Sequence, residues 1–301
     1  MLPLAMLCGA LFYEFFQRLA FLTPYLIFSM LFITYCKLSF RELRFSPLHL
    51  WLLLIQIVGS VLVYGMLVWF DPLLAQGIMI CVLAPTATAA AVITGMLGGS
   101  VACLAAYTLI SSLTVALVSP VIFSLLGTHS EMPFWDSFFY ICRQVMPLLV
   151  LPFACALALE KLLPALHRQL KRLQVLSFYL WGLGLTIVMG KTVYFIMQQD
   201  SSNYAEEWVI ALFALLICVL QFWGGRYIGR KYGDTVAGGQ GLGQKNTILA
   251  IWMAQVYLSP LASIAPAAYV VWQNSINSFQ LWWKKYKEDR LVAHREVSGG
   301  K

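Results

Sequence analysis

Charge is the scarcest property of this sequence. Asp, Glu, Lys and Arg make up 11% of its 301 residues, whereas apolar residues supply 60%. Soluble domains carry roughly a quarter of charged residues, so water is excluded as the solvent for most of this chain. Histidine is almost as scarce: His49, His129, His167 and His294 all fall in predicted loops or in the tail. GxSG, HExxH and paired-aspartate motifs are missing, so hydrolytic and metal-assisted chemistry is not expected and the chain reads as a non-enzyme. None of the seven cysteines (Cys8, Cys36, Cys81, Cys103, Cys142, Cys155, Cys218) has CxxC spacing, and all lie inside apolar runs. That removes dithiol and metal-ribbon readings and leaves them as small packing residues. A basic leader with a small-residue cleavage site is also missing, because Glu14 and Arg18 stand where small residues would be. The first segment is therefore expected to be a retained span.

What the chain does have is long apolar runs at regular intervals. A hydrocarbon core about 30 Å thick needs about 20 helical residues, and runs of that order cover 2–17, 20–38, 48–70, 73–96, 100–127, 133–160, 174–198, 206–230, 234–257 and 261–284. Ten spans predict one all-α polytopic membrane domain over 1–285, with a cytoplasmic tail at 286–301. The charges support this parse. Lys37, Arg41 and Arg44, then Lys161, Arg168, Lys171 and Arg172, then Arg226, Arg230 and Lys231, then the tail, all fall on one face. Only Arg18, Arg143, Lys191 and Lys245 lie elsewhere, leaving sixteen of the twenty basic residues on that face. Short cytoplasmic loops retain Lys and Arg, so both termini are expected in the cytoplasm of a protein of the plasma (inner) membrane. The net charge of +7 then reflects topology and anionic headgroups rather than a nucleic-acid partner, since no basic stripe with interleaved aromatics exists. The expected partners are the lipid bilayer and a small organic anion, and nothing in the sequence specifies an oligomeric state.

Two spans are interrupted near their middles. The fourth contains Pro85, Thr86 and Thr88 within Ala84-Pro-Thr-Ala-Thr-Ala; the ninth runs Gly238-Gly-Gln240-Gly-Leu-Gly-Gln244-Lys245-Asn246-Thr247. Irregular backbone at that depth survives where protein surrounds it. These are the fourth spans of the two halves, the placement expected of two inverted five-helix repeats whose broken helices cross. The alternative is close packing at the glycines and an ordinary kink at Pro85.

At these residues the chain resembles the bile acid:sodium symporter family. That family carries Pro-Gly-Gly-x-x-Ser-Asn-Val-x-Thr in its fourth span and Glu-x-Gly-x-Gln-Asn, then Leu-Ala, in its ninth. Pro85, Val92, Thr94 and Gly99 match the first pattern; Gly243, Asn246, Leu249 and Ala250 match the second. The stretch 220–234 with Gly229-Arg230, and Gln56 in the third span, extend the resemblance over essentially the whole chain. It implies a panel of spans 1, 2, 6 and 7 against a core of the remaining six, with an amphipathic organic anion carried between them together with sodium. The family's side-chain ligands for sodium, however, fall here on Ala90, Ala91, Gly241 and Lys245, and Leu104 stands in place of a serine; Gln56 and Thr108 are the residual matches. Sodium coupling is accordingly not expected, and no cofactor is.

Lys245 lies about 11 residues, or about 16 Å, into its span. A charge at that depth costs at least about 2.5–3.5 kcal/mol, so it is expected to be paired or functional. An ammonium has three donors and suits oxygens that would otherwise hold a cation. The expectation is that Lys245 replaces the missing sodium, with proton coupling, uniport and a fixed structural charge all open. Gln240, Gln244, Asn246 and Thr247 share the interruption with it. Arg143 and Lys191, in the outer halves of spans 6 and 7, are candidates for an anionic substrate; interfacial snorkelling of Lys191 and backbone capping by Arg143 are the alternatives. The functional expectation is a secondary transporter of a small carboxylate or sulfonate, with a transport-inactive receptor for an amphipathic ligand as the other reading.

Overall fold

A computed structural model describes residues 2–37, 45–87, 89–126, 132–171, 174–198 and 204–299. These form α1 (Leu2–Leu11), α2 (Tyr13–Arg18), α3 (Thr23–Lys37), α4 (Pro47–Leu67), α5 (Pro72–Leu83), α6 (Ala90–Leu97), α7 (Val101–Leu126), α8 (Phe134–Leu162), α9 (Pro164–Lys171), α10 (Gln174–Met197), α11 (Tyr204–Lys231), α12 (Thr235–Gly243), α13 (Thr247–Tyr257) and α14 (Ile264–Gly299). Among the described residues five helices are long and apolar enough to cross a bilayer: Pro47–Leu67, Val101–Leu126, Phe134–Leu162, Tyr179–Met197 and Ala205–Lys231. Their outer faces carry large apolar side chains such as Leu50, Leu62, Leu117, Leu151, Leu212 and Leu216, all exposed. Such a surface is stable against hydrocarbon and not against water.

Helix starts follow from capping chemistry. Ser46 accepts the amide of Leu48 at 3.2 Å and Pro47 occupies the first helical position of α4. Asp71 accepts the amides of Leu73 and Leu74 at 2.7 and 3.2 Å before Pro72 opens α5. Each pairing of an oxygen cap with a following proline satisfies or removes amides that have no helical partner. Asp234 does more: one carboxylate oxygen accepts Ala237 N at 2.8 Å to start α12, and the other accepts Ser100 N at 2.9 Å just ahead of α7. Prolines inside α7 and α8 (Pro120, Pro147, Pro152) are tolerated where neighbouring helices surround the freed carbonyls.

Helices α1 and α2 lie on α10, and α3 packs on α8 and α10. Helix α12 rests on α11, α4 on α5, and α14 on α11 and α5. The α11–α12 contact is a backbone contact: a Cβ on Gly225 would strike the Gly238 carbonyl, and one on Gly238 would strike the Gly225 carbonyl. Only glycine permits that approach, as in close helix pairs within membranes.

Two elements differ from expectation. The first span is two helices, because Phe12 (φ −111, ψ 37) interrupts the α-helical path between α1 and α2. His49 and His167, expected in loops, lie inside helices and are buried. The His49 ring accepts the Ser46 amide through Nδ1 at 3.3 Å, so Nε2 holds the proton and faces the Cys103 sulfur at 3.2 Å. Helix α14 continues past residue 285 to Gly299 without interruption. An ion pair joins Lys284 to Glu288 at 3.6 Å, and among the described residues none joins Glu14 to Arg18.

Candidate functional site: a crossing of two broken helices

Residues 84–89 separate α5 from α6, and 244–246 separate α12 from α13. The two breaks pair with each other as antiparallel extended backbone at Thr86 and Lys245. The Ala87 amide donates to the Gln244 carbonyl at 2.9 Å, and the Asn246 amide donates to the Pro85 carbonyl at 2.8 Å. Four half-helix ends thus meet at one point. Their unpaired carbonyls and amides lie among buried residues and need polar partners there.

The carbonyl end of α5 is satisfied by side chains from elsewhere. Lys245 is 1% exposed, and its Nζ donates to the carbonyls of Val82 at 2.7 Å and Ala84 at 3.1 Å. Gln56 of α4 donates to the carbonyls of Leu83 at 2.7 Å and Ala84 at 3.1 Å. Its own oxygen accepts the Tyr107 hydroxyl at 2.8 Å and the Ser111 hydroxyl at 2.9 Å. A cation beside a helix C-terminus is stabilised by the local dipole, and here the charge is covalently part of the opposing break.

The C-terminal end of α12 is closed differently. Thr86 donates its hydroxyl to the Gly241 carbonyl at 2.7 Å, and Tyr269 donates to the Gly243 carbonyl at 2.8 Å. Gln273 of α14 holds Lys245 by its backbone, accepting its amide at 2.8 Å and donating to its carbonyl at 3.3 Å. Asn246 then caps α13 by accepting the Leu249 amide at 3.3 Å.

Of the sequence candidates, Pro85, Thr86, Gln244, Lys245, Asn246 and Gln56 converge at this crossing. Thr247 is buried as the first residue of α13. Gln240 lies one turn before the break, bonded to Asn277 at 2.9 Å. Thr88 lies outside the described residues. Thr108 is buried but turns its hydroxyl back onto the Leu104 carbonyl of its own helix at 3.0 Å. Ala90 and Ala91 present methyl groups. The carbonyls of Val82 and Ala84 are engaged by Lys245 and the Gln56 oxygen by two hydroxyls, which leaves Gln244 Oε1 as the unpartnered side-chain oxygen of the break. One such oxygen does not fit sodium, which needs several. Arg143 is exposed on α8, and Lys191 is half-buried on α10 with its Nζ 5.6 Å from the Phe195 ring centre; no hydrogen bond joins either to the crossing among the described residues.

Sequence reasoning missed the supports of the site. Tyr107, Ser111, Gln221, Tyr269 and Gln273 are polar residues scattered singly through apolar helices, where each reads as noise. One signal was available: Gln273, Asn277, Gln280 and Lys284 follow i, i+4, i+7, i+11 spacing, which places them on one face of a helix.

A second polar cluster joins α13 to its neighbours beyond the crossing. Gln255 donates to Thr192 Oγ1 at 3.0 Å and to the Val188 carbonyl at 3.3 Å, and Tyr257 donates its hydroxyl to Gln144 of α8 at 2.9 Å.

Comparison with known proteins adds one positive finding. The family model described as Sodium Bile acid symporter family matches residues 24–199. No curated protein matches the chain.

Proposed function

Since this chain belongs to the sodium bile acid symporter family, we propose that it is a secondary transporter of a small amphipathic organic anion that works without sodium. It is an integral, multi-pass membrane protein of a transporter family. In the reading proposed here, ten spans form two inverted repeats: α1–α2, α3, α4, α5–α6 and α7, then α8, α10, α11, α12–α13 and α14. Both termini face the cytoplasm. The panel comprises α1–α2, α3, α8 and α10, and it moves against a core that carries the crossing. The packing of α1, α2 and α3 on α10 and α8 supports that division.

One observation carries the sodium-independent reading. The Lys245 ammonium occupies the carbonyl cluster of Val82 and Ala84 from within the chain, in a family whose side-chain ligands fall here on Ala90, Ala91 and Gly241. The tethered cation balances the α5 terminus from within the chain, so substrate flux is driven by its own gradient or by a proton gradient. Arg143 and Lys191 remain proposed partners of the substrate carboxylate or sulfonate. The Gln255–Thr192 and Tyr257–Gln144 contacts join core to panel on the outer side, and they must break when that side opens.

The test uses purified protein in sodium chloride and in choline chloride at equal ionic strength. A ligand at about 100 times its dissociation constant adds about 2.7 kcal/mol of stability. The expected outcome is equal melting temperatures in the two salts. Saturable sodium stabilisation would overturn the assignment of Lys245. Proteoliposomes with taurocholate as first probe, then a carboxylate and sulfonate panel, separate transport from binding alone: flux without sodium is expected. Saturable binding without flux would instead mark a receptor.

A further inference from the structure

The polar face of α14 extends well beyond the crossing. Gln273 grips the Lys245 backbone. One turn on, Asn277 accepts from Gln240 of α12 at 2.9 Å. Gln280 then accepts from Gln240 at 3.3 Å and from Arg226 of α11 at 2.9 Å. Lys284 closes the row by donating to the Met96 carbonyl at 2.8 Å. From Gln273 to Lys284 the face rises about 16 Å, from the crossing toward the end of the molecule that holds Arg230, Lys231, Lys285 and Lys287. Burial falls along it: Gln273 and Asn277 are 4% exposed, whereas Gln280, Arg226 and Lys284 are half-buried. The row is therefore deep at one end and open at the other.

Its deep end is chemically incomplete. Gln240 Oε1 and Asn277 Nδ2 are buried and have no protein partner, and neither does Gln244 Oε1 in the adjoining break. A fourth such atom, Gln221 Oε1, belongs to the amide that donates to the Tyr269 hydroxyl at 3.0 Å. Turning the Gln240 or Asn277 amide over exchanges one unpartnered atom for another, because both Gln240 N–H groups are already used on Asn277 and Gln280. Each buried polar atom left bare costs about 1–3 kcal/mol, so the two in the row and the two beside it require partners. Three acceptors and one donor, with a half-open polar mouth, match water, which offers two of each.

We propose that the seam between α11, α12 and α14 holds a file of water molecules that enters beside Gln280, Arg226 and Lys284 and reaches the helix crossing. This path lies wholly among helices that pack with the crossing. It hydrates the surroundings of Lys245 from the basic face whichever way a substrate cavity opens. It does not depend on the transport reading, and its test measures no flux.

Millisecond X-ray radiolysis of the full chain in lipid nanodiscs oxidises side chains beside held water, and peptide mass spectrometry reads the sites. Tyr269 stands one turn before Gln273 and is fully buried. Its oxidation is expected at a rate near that of the exposed Tyr286. Tyr107, equally buried with its hydroxyl satisfied by Gln56, and the buried Met79 and Met253 are expected to stay unlabelled although methionine is intrinsically more reactive. The paired replacement Gln240→Leu with Asn277→Leu removes both orphans together and is expected to lower Tyr269 labelling several-fold. Tyr269 labelling no higher than that of Tyr107 in the unaltered chain overturns the proposal without needing any variant to fold. Tyr269 labelling that persists at full rate in the paired variant overturns the entry route.

Discussion

The two broken helices differ in what each contributes to their shared crossing. The α5–α6 break offers mainly backbone: its carbonyls at Val82, Leu83 and Ala84 receive donors from Lys245 and Gln56, its Thr86 hydroxyl reaches across to the Gly241 carbonyl, and among the described residues no side chain caps the start of α6, where Ala89 stands exposed. The α12–α13 break offers side chains: Lys245 supplies the cation and Asn246 the cap. Helix α6 shows Val92 and Met96 to its surroundings, whereas α12 and α13 are buried almost throughout. One break is a receiving surface and the other a plug. The lesson is that two crossing breaks do not need matching ligands; a charge carried by one can serve the other.

The largest test of this asymmetry is steric. Gly238→Ala pushes a methyl into the Gly225 carbonyl, and the α11–α12 backbone contact leaves no flexible group to yield. A loss of about 3 kcal/mol or more is expected, read as a drop in thermal midpoint in detergent. On α5, Gly77→Ala meets the Ala265 Cβ at 2.8 Å and the Ala262 carbonyl at 3.0 Å, so a smaller loss of about 1–3 kcal/mol is expected. Equal losses would erase the difference in how tightly the halves are seated. Gly224→Ala, with nothing within 4 Å of the added carbon, should be neutral or slightly stabilising and serves as the control.

Gln56→Leu tests the receiving side. It strips the Leu83 carbonyl of its donor, leaves the Ala84 carbonyl to Lys245 alone and leaves the Tyr107 and Ser111 hydroxyls without their acceptor, for a loss of about 2–3 kcal/mol by denaturant titration. No change would mean that Lys245 alone satisfies α5. Smallest is Asn246→Ala, which removes the α13 cap at a cost of about 1 kcal/mol; protection of the Leu249 amide from hydrogen exchange should fall with it.

Much of the architecture was legible before any coordinates. Long apolar runs marked the helices, because lipid enforces a length as well as a composition. The Gly-rich and Pro-containing interruptions marked the breaks, and Lys245 stood out as a charge where charge is costly. What stayed hidden was pairing. The oxygens that Lys245 meets are backbone carbonyls, carried by every residue and thus silent in sequence. Gln56 stood out only through resemblance, and nothing in its spacing announced that it donates to the Leu83 and Ala84 carbonyls. The split of the first span at Phe12 was invisible because no Gly or Pro announces it.

Helix α14 spans 36 residues, so at about 1.5 Å per residue it is about 54 Å long, against about 30 Å of hydrocarbon. An uninterrupted rod of that length is a ready splice point for electron microscopy. A helical reporter fused in phase after Arg290 would turn rigidly with the bundle, giving image alignment a landmark outside the detergent belt.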